Sequence, residues 1–432
     1  MSKIPLLLTY SPQKISWRTA MGLVVSAIIG TGVFTSLGFQ LLDVQNTWSI
    51  VLLWVLGGIF ALIGAFTYAE LGTHFQELGG DYVYLSRIFH PFVGYLYAWA
   101  SLTVGFSAPI ALTAIAMSDY LAPLGFGKVL DGLGIGLILL LSLVHSFSVR
   151  QSGRFQDISF LFKLLFVLAL VLVGLFAAPV AENAFKLDNS WRGEVLLPGF
   201  AVALIYVTYA YTGWNQAAYI VTEIQEPRKS LPKALIGGTA MVILLYVLLQ
   251  VVMLRHADVG QLAGQVEVTY ITFAGRFGSE VGKWVSICIA LQLIATMSSY
   301  LWVGSRVTYA MAREHRLWKP LSVTNRLGIP TRALWLQTAI SIGLALTGSF
   351  EQVLLYAGFV LQLMGTLTIA SLLFVKKRSE TFTSPFKPYA QILYILFSVW
   401  ILGFMLYERP LESLIGIGIV AVGGITYFIR RN

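Results

Sequence analysis

Residues Val24–Phe34 read VVSAIIGTGVF. They lie in the first long apolar run of the chain, yet Gly30 and Gly32 flank a threonine near its middle. Glycine is about 1 kcal/mol less favourable than alanine inside a helix, so this pair weakens a span where hydrocarbon forgives it least. Either the helix needs small residues for packing, or it is interrupted on purpose. The surrounding sequence decides between the two.

Composition settles the class. Of 432 residues 57% are hydrophobic and only 11% charged, with mean hydropathy +0.77. Soluble domains carry roughly 25% charged residues, so this chain cannot cover a water-facing surface. Apolar runs able to cross a roughly 30 Å hydrocarbon core fall near residues 17–42, 47–73, 92–121, 130–148, 156–180, 196–221, 234–254, 282–312, 333–349, 352–375, 389–407 and 411–429. The expected fold is an all-α polytopic membrane protein of about twelve transmembrane helices, lipid-embedded, with both termini on one side. The start, MSKIPLLLTYSPQKISWR, shows no cleavable signal pattern.

Basic residues then sort by side. The termini and even-numbered loops hold Lys3, Lys14, Arg150, Arg228, Lys377, Arg378, Arg430, Arg431 and others; the opposite side holds Lys128, Lys186, Arg192, Arg255, Arg276, Lys283 and Arg409. The excess is about threefold and places both termini in the cytoplasm. The net charge of +9 is thus a topology signal and not a nucleic-acid face. Cys288 has no intrachain disulfide partner and reads as a small core residue. The five histidines show no ligand spacing, and no nucleotide-binding or hydrolytic motif is present, so no metal, cofactor or enzymatic activity is expected. Of two long loops, 74–91 (HFQELGGDYVYLSRIFHP) is cytoplasmic. In the outer one, 255–281, Thr269–Phe277 suits an amphipathic helix across a cavity mouth.

The opening stretch has a counterpart. Residues 203–223, ALIYVTYAYTGWNQAAYIVTE, place Thr212 and Gly213 near mid-membrane among Tyr209, Tyr211 and Asn215. Interrupted helices at matching places in two halves of a transporter point to its substrate site. Here they fall in spans one and six, which would open two five-helix repeats of opposite orientation, 17–180 and 196–375, followed by two added helices, 389–429. An unwound turn frees backbone N–H and C=O groups, which hydrocarbon tolerates only where they line a cavity and meet a polar partner. A zwitterionic amino acid is such a partner. The amides near Thr31 and Gly32, at the positive N-terminus of the outer half-helix, suit a carboxylate; carbonyls near Ile28 suit an ammonium.

Lys163 is the clearest ionisable group deep in a span. It either snorkels to the interface, marks a proton path, or stays charged and ties to carbonyls of a broken helix in place of a metal cation. Glu70 and Glu223 sit toward cytoplasmic ends and read as structural or gate-forming, and Arg306 is expected to snorkel.

Several stretches together carry a resemblance: IIGTGVF, YAELG, GGDYVYL, RFQDISFLFKLL, YTGWNQAAYIVTEIQEPRKSLPKAL and AREHRLWKPLS. In this order the chain resembles the amino acid–polyamine–organocation superfamily, and within it the L-type amino acid transporter group and its bacterial relatives. The resemblance implies a five-plus-five inverted repeat with broken helices 1 and 6 and the substrate between them. It implies that the amides of Thr31 and Gly32 receive the substrate carboxylate and the carbonyls of Ile28, Tyr209 and Thr212 its amino group. Gly30, Ala210 and Gly213 complete the two turns, Asn215 and Tyr246 match polar positions near the site, and Tyr209 stands where relatives carry a phenylalanine gate. Lys163 matches a lysine that replaces the cation of sodium-coupled cousins, so sodium dependence is disfavoured.

Two departures shape the expectation. Thr212 replaces a glycine common in that group, which narrows the pocket toward small or polar neutral substrates. The outer loop after span three holds no cysteine, so no disulfide-linked heavy chain is expected. The resulting expectation is an inner-membrane secondary carrier for neutral L-amino acids, sodium-independent, working by alternating access as a proton symporter or an amino acid exchanger. The alternatives are an amino acid sensor and a channel-like protein.

Overall fold

The computed structural model of the chain describes residues 14–77, 79–125, 132–147, 152–180, 190–376 and 381–429. Lys3, Lys128, Arg150, Lys186, Lys377, Arg378, Arg430 and Arg431, used above to orient the chain, lie outside the described residues.

Every expected span carries helix. Among the described residues nine helical stretches are long and apolar enough to cross a membrane, in spans one, two, three, five, seven, eight, ten, eleven and twelve. The other three are shorter. Span four is Leu133–Phe147, span nine is Thr331–Thr347, and the outer part of span six is Pro198–Ala210. Span seven runs further than its apolar core, Pro227–His256, because Pro227 sits in the first turn, where its missing N–H costs nothing. Span two, Thr47–His74, starts at Asn46, whose side-chain oxygen accepts from the amides of Trp48 and Ser49. Span ten, Phe350–Ser371, starts on a reciprocal Ser349–Gln352 capping box. Span three is continuous from Pro91 to Leu124 but widens into a π-turn at Ser101–Gly105, the kind of local expansion that clusters at functional sites.

The helices sort into two packed groups. Span seven lies against spans one and two, and the outer halves of spans one and six lie against each other. Span eight packs on span three, and spans four and nine join that pair. Span five touches spans one, seven and eight. Burial places the interior: the most apolar windows of spans one and three are 83% buried, against 28% and 22% for spans eleven and twelve. The last two helices therefore present most of their surface outward, where a bilayer would meet it.

Both long loops fold inward. The outer helix forms as Val268–Phe277 and seats on span one, where Thr269 donates to the Phe34 carbonyl at 3.3 Å. The 74–91 segment holds a helix, Asp81–Ile88, with Asp81, Val83, Tyr84 and Leu85 buried. Glu70 is structural, accepting from Lys387 at 2.8 Å and from the Ser384 amide at 2.7 Å. The Arg306 guanidinium turns back over the Trp302 ring, 4.1 Å from the centroid, and donates to the Trp302 carbonyl.

Candidate functional site

Span one is broken where its glycines predict. An inner half-helix Trp17–Ile28 ends, Ile29 and Gly30 are extended, and an outer half-helix Thr31–Asp43 begins. No side chain of the Gly30 cap satisfies the new N-terminus, so its first amides and their dipole face the break. Span six breaks after Ala210. Gly213 turns at φ +106°, a backbone state that side chains rarely tolerate, and a short helix resumes at Gln216–Tyr219.

The two breaks touch through their glycines. A Cβ on Gly32 would sit 2.5 Å from Ala210 Cα, and one on Gly213 would sit 2.7 Å from the Ala27 carbonyl carbon. Small residues thus bring backbone against backbone at the crossing. Packing and interruption, posed above as competing readings of the glycines, are both met.

Lys163 does not snorkel. It is 0% exposed, and its Nζ donates to the carbonyls of Ser26 and Ile29, each at 2.8 Å, and to Thr296 Oγ1 at 2.7 Å. One ammonium thereby ties span five to the end of the inner half-helix and to span eight. Three oxygens are gathered on one cationic head, as hydrogen-bonded charge requires in a dry interior. Tyr246 of span seven stitches the same break from another side, donating to the Ile28 carbonyl at 2.7 Å.

A cavity of about 100 Å³ runs along the span-six break. Of the sequence candidates it is lined by Tyr209, Thr212, Gly213 and Asn215. Ile28, Gly30, Thr31, Gly32, Ala210 and Tyr246 do not line it, and the reason is steric. Ala210 closes on Gly32, and the Tyr209 hydroxyl faces the Thr31 side chain, covering the outer half-helix terminus. One carbonyl assignment also changes. The Tyr209 carbonyl accepts from both the Thr212 amide, at 2.9 Å, and the Thr212 hydroxyl, at 2.7 Å. Its two lone pairs are used. The Ile28 carbonyl spends one on Tyr246 and retains the other.

The opposite wall comes from residues not singled out in the sequence. Ser101 opens the π-turn of span three and Tyr97 and Phe106 flank it, Tyr300 comes from span eight, and Gln362 from span ten. Gly57, Gly105, Gly358 and Gly365 pave the surface between them. The π-turn is what aims Ser101 and Phe106 inward; nothing in a uniformly apolar run announces it. Among the described residues no group of His, Cys, Asp and Glu could hold a metal ion.

Comparison with known proteins converges on the same class. The amino acid permease family model matches residues 15–421. The chain is 28% identical to the large neutral amino acids transporter small subunit 2 of Oryctolagus cuniculus over 96% of this chain and 80% of that protein. It is 29% identical to the b(0,+)-type amino acid transporter 1 of Homo sapiens over 95% of this chain and 86% of that protein. Broken spans, a multi-pass helical architecture and a match along nearly the whole length together identify the chain as a member of the amino acid permease family, a membrane transporter of amino acids and not an enzyme.

Proposed function

We propose that this protein is a secondary carrier for small or polar neutral L-amino acids, which enter the cavity along the span-six break and reach the span-one break when Tyr209 moves aside. The observation that carries the reading is the cavity lining. It is built from aromatic rings, glycines and neutral polar groups such as Thr212, Asn215 and Gln362, with no charged side chain. A net charge on a substrate side chain would enter it unpaired, at a cost of several kcal/mol. The volume of about 100 Å³ is well below the roughly 300 Å³ where drug-sized pockets begin.

In this reading the substrate carboxylate takes the place of the Tyr209 hydroxyl at Thr31 and the Gly32 amide. The ammonium uses the free lone pair of Ile28, and Tyr209 moves aside as the latch. Spans one, two, six and seven rock against three, four, eight and nine, with 17–180 and 196–375 as inverted repeats and 389–429 as added helices. Uptake is sodium-independent because the Lys163 ammonium already holds the oxygens of Ser26, Ile29 and Thr296 that a cation would need. Protons or a counter-transported amino acid supply the coupling. The protein resides in the inner membrane with both termini cytoplasmic, and acts without a disulfide-linked heavy chain. Uptake of labelled alanine into proteoliposomes, with and without a sodium gradient, tests the proposal. Equal rates support it; a strict sodium requirement overturns it.

A further inference from the structure

Asp81 opens the helix Asp81–Ile88 beyond the end of span two and is 0% exposed. Among the described residues no basic side chain forms an ion pair with it. Its carboxylate accepts instead from hydroxyls: Tyr68 of span two on Oδ1 and Tyr219 of span six on Oδ2, the latter at 2.6 Å. Thr368 of span ten and Tyr97 of span three add further hydroxyls. Tyr219 also meets the Tyr97 hydroxyl at 2.8 Å and Asn215 Nδ2 at 3.4 Å. Tyr68, Tyr97, Tyr219 and Asn215 all line the cavity. One carboxylate thus gathers members of both helix groups directly beneath the cavity, on its cytoplasmic side in the orientation proposed above.

We propose that Asp81 is a proton-binding site that latches the cavity floor: the neutral acid holds the floor shut, and loss of its proton releases it toward the cytoplasm. Protonated on Oδ2, Asp81 donates to the Tyr219 hydroxyl, which donates onward to Tyr97, and every group in the chain keeps a partner. Deprotonated, the same carboxylate is an unpaired charge in a dry site, and separation of the floor lets water solvate it. The proton comes from cytoplasmic water and returns there.

The groups facing Asp81 set no competing charge. They are Tyr68 from span two, Tyr84 from its own helix, Tyr97 from span three, Tyr219 from span six and Thr368 from span ten. Glu70 of span two is paired with Lys387. Burial pushes the Asp81 carboxyl up to about 6 from its ordinary 3.8, against the opposing pull of the Tyr219 hydroxyl. The closed floor therefore binds the proton more tightly than an open, hydrated one. By linkage, acidification from about 6 to about 4 favours closure by roughly thirtyfold.

The direct test is infrared titration of the purified wild-type protein, which needs no transport and so stands or falls apart from the carrier reading. A buried carboxylic-acid C=O component that grows in with a midpoint near 6 in wild type and is missing from Asp81→Asn supports the site. Equal band intensity in wild type and Asp81→Asn, or no band in wild type, overturns it. Tyr219→Phe removes a hydroxyl that favours the ionised form, so the midpoint must move to higher pH; an unchanged or lowered midpoint also overturns the proposal. In exchange-mode proteoliposomes, wild-type rates fall as the cytoplasmic-side pH drops through about 6, and Asp81→Asn is slow and flat. A wild-type pH profile in Asp81→Asn overturns the latch.

Discussion

Substituting Gly32 with alanine tests whether the crossing of the two breaks is the working part of the molecule. The added Cβ would lie 2.5 Å from Ala210 Cα, whereas ordinary contact begins at 3.4 Å, so the breaks must part by roughly 0.9 Å. Overpacking of this kind costs about 1–3 kcal/mol, and a misplacement of about 1 Å at a reacting or binding centre can cost on the order of a hundredfold in rate. Gly30, two residues away, is the control. Its backbone is extended, at φ −139°, and a Cβ there meets Thr296 Cγ2 at 3.4 Å and the Ile28 oxygen at 3.8 Å, both ordinary contacts. Gly30→Ala should therefore cost under about 1 kcal/mol.

Initial rates of uptake in proteoliposomes and thermal unfolding of the purified protein read both effects. Because the nearest atom is the Ala210 Cα, trimming its methyl in a Gly32→Ala, Ala210→Gly double variant should not restore transport. Equal damage from Gly30→Ala and Gly32→Ala, or rescue by Ala210→Gly, would refute the packing argument.

Other sites give independent readouts. Lys163→Ala leaves the Ser26 and Ile29 carbonyls and the Thr296 hydroxyl without their shared donor; a stability loss of about 3–5 kcal/mol and loss of uptake are expected, and wild-type behaviour on both counts would sink the role. Tyr246→Phe removes the hydroxyl that bonds the Ile28 carbonyl and should cost about 1–2 kcal/mol in denaturation experiments. Gly213→Ala forces a Cβ to 2.8 Å from the Ala27 oxygen at a positive φ; a loss of about 1–3 kcal/mol is expected, and an unchanged unfolding temperature would argue against the crossing. Asp81 titrates above its unfolded value, so its contribution to stability is full below about 4 and disappears as pH rises through about 6. Unfolding temperatures of wild type and Asp81→Asn should diverge across that window.

The residues that were legible in the sequence share a physical reason. Gly30, Gly32 and Gly213 stand out because glycine in mid-span has few uses besides a break or a close approach, and both occur here. Lys163 stands out because a charge at that depth needs oxygens around it, and the structure supplies three. What was hidden is pairing. Nothing in YAYTGWN shows that Thr212 folds back to consume the Tyr209 carbonyl, nor that Tyr209 reaches across to Thr31. The wall from spans two, three and ten was hidden too, because runs apolar on every face do not say which face is inward. Asp81 lay in the quoted GGDYVYL motif. Its signal, a carboxylate opening a helix in a loop that folds inward, was visible only once the tyrosines of spans two, three and six were seen to meet it.

The central claim is that a small neutral amino acid occupies the junction of the span-one and span-six breaks. Counterflow tests it most directly: proteoliposomes preloaded with unlabelled alanine, with uptake of labelled alanine or labelled tryptophan followed in the absence of sodium. The account predicts that internal alanine accelerates alanine uptake while tryptophan is excluded. Tryptophan entering as readily as alanine, or alanine uptake indifferent to internal substrate, would contradict it.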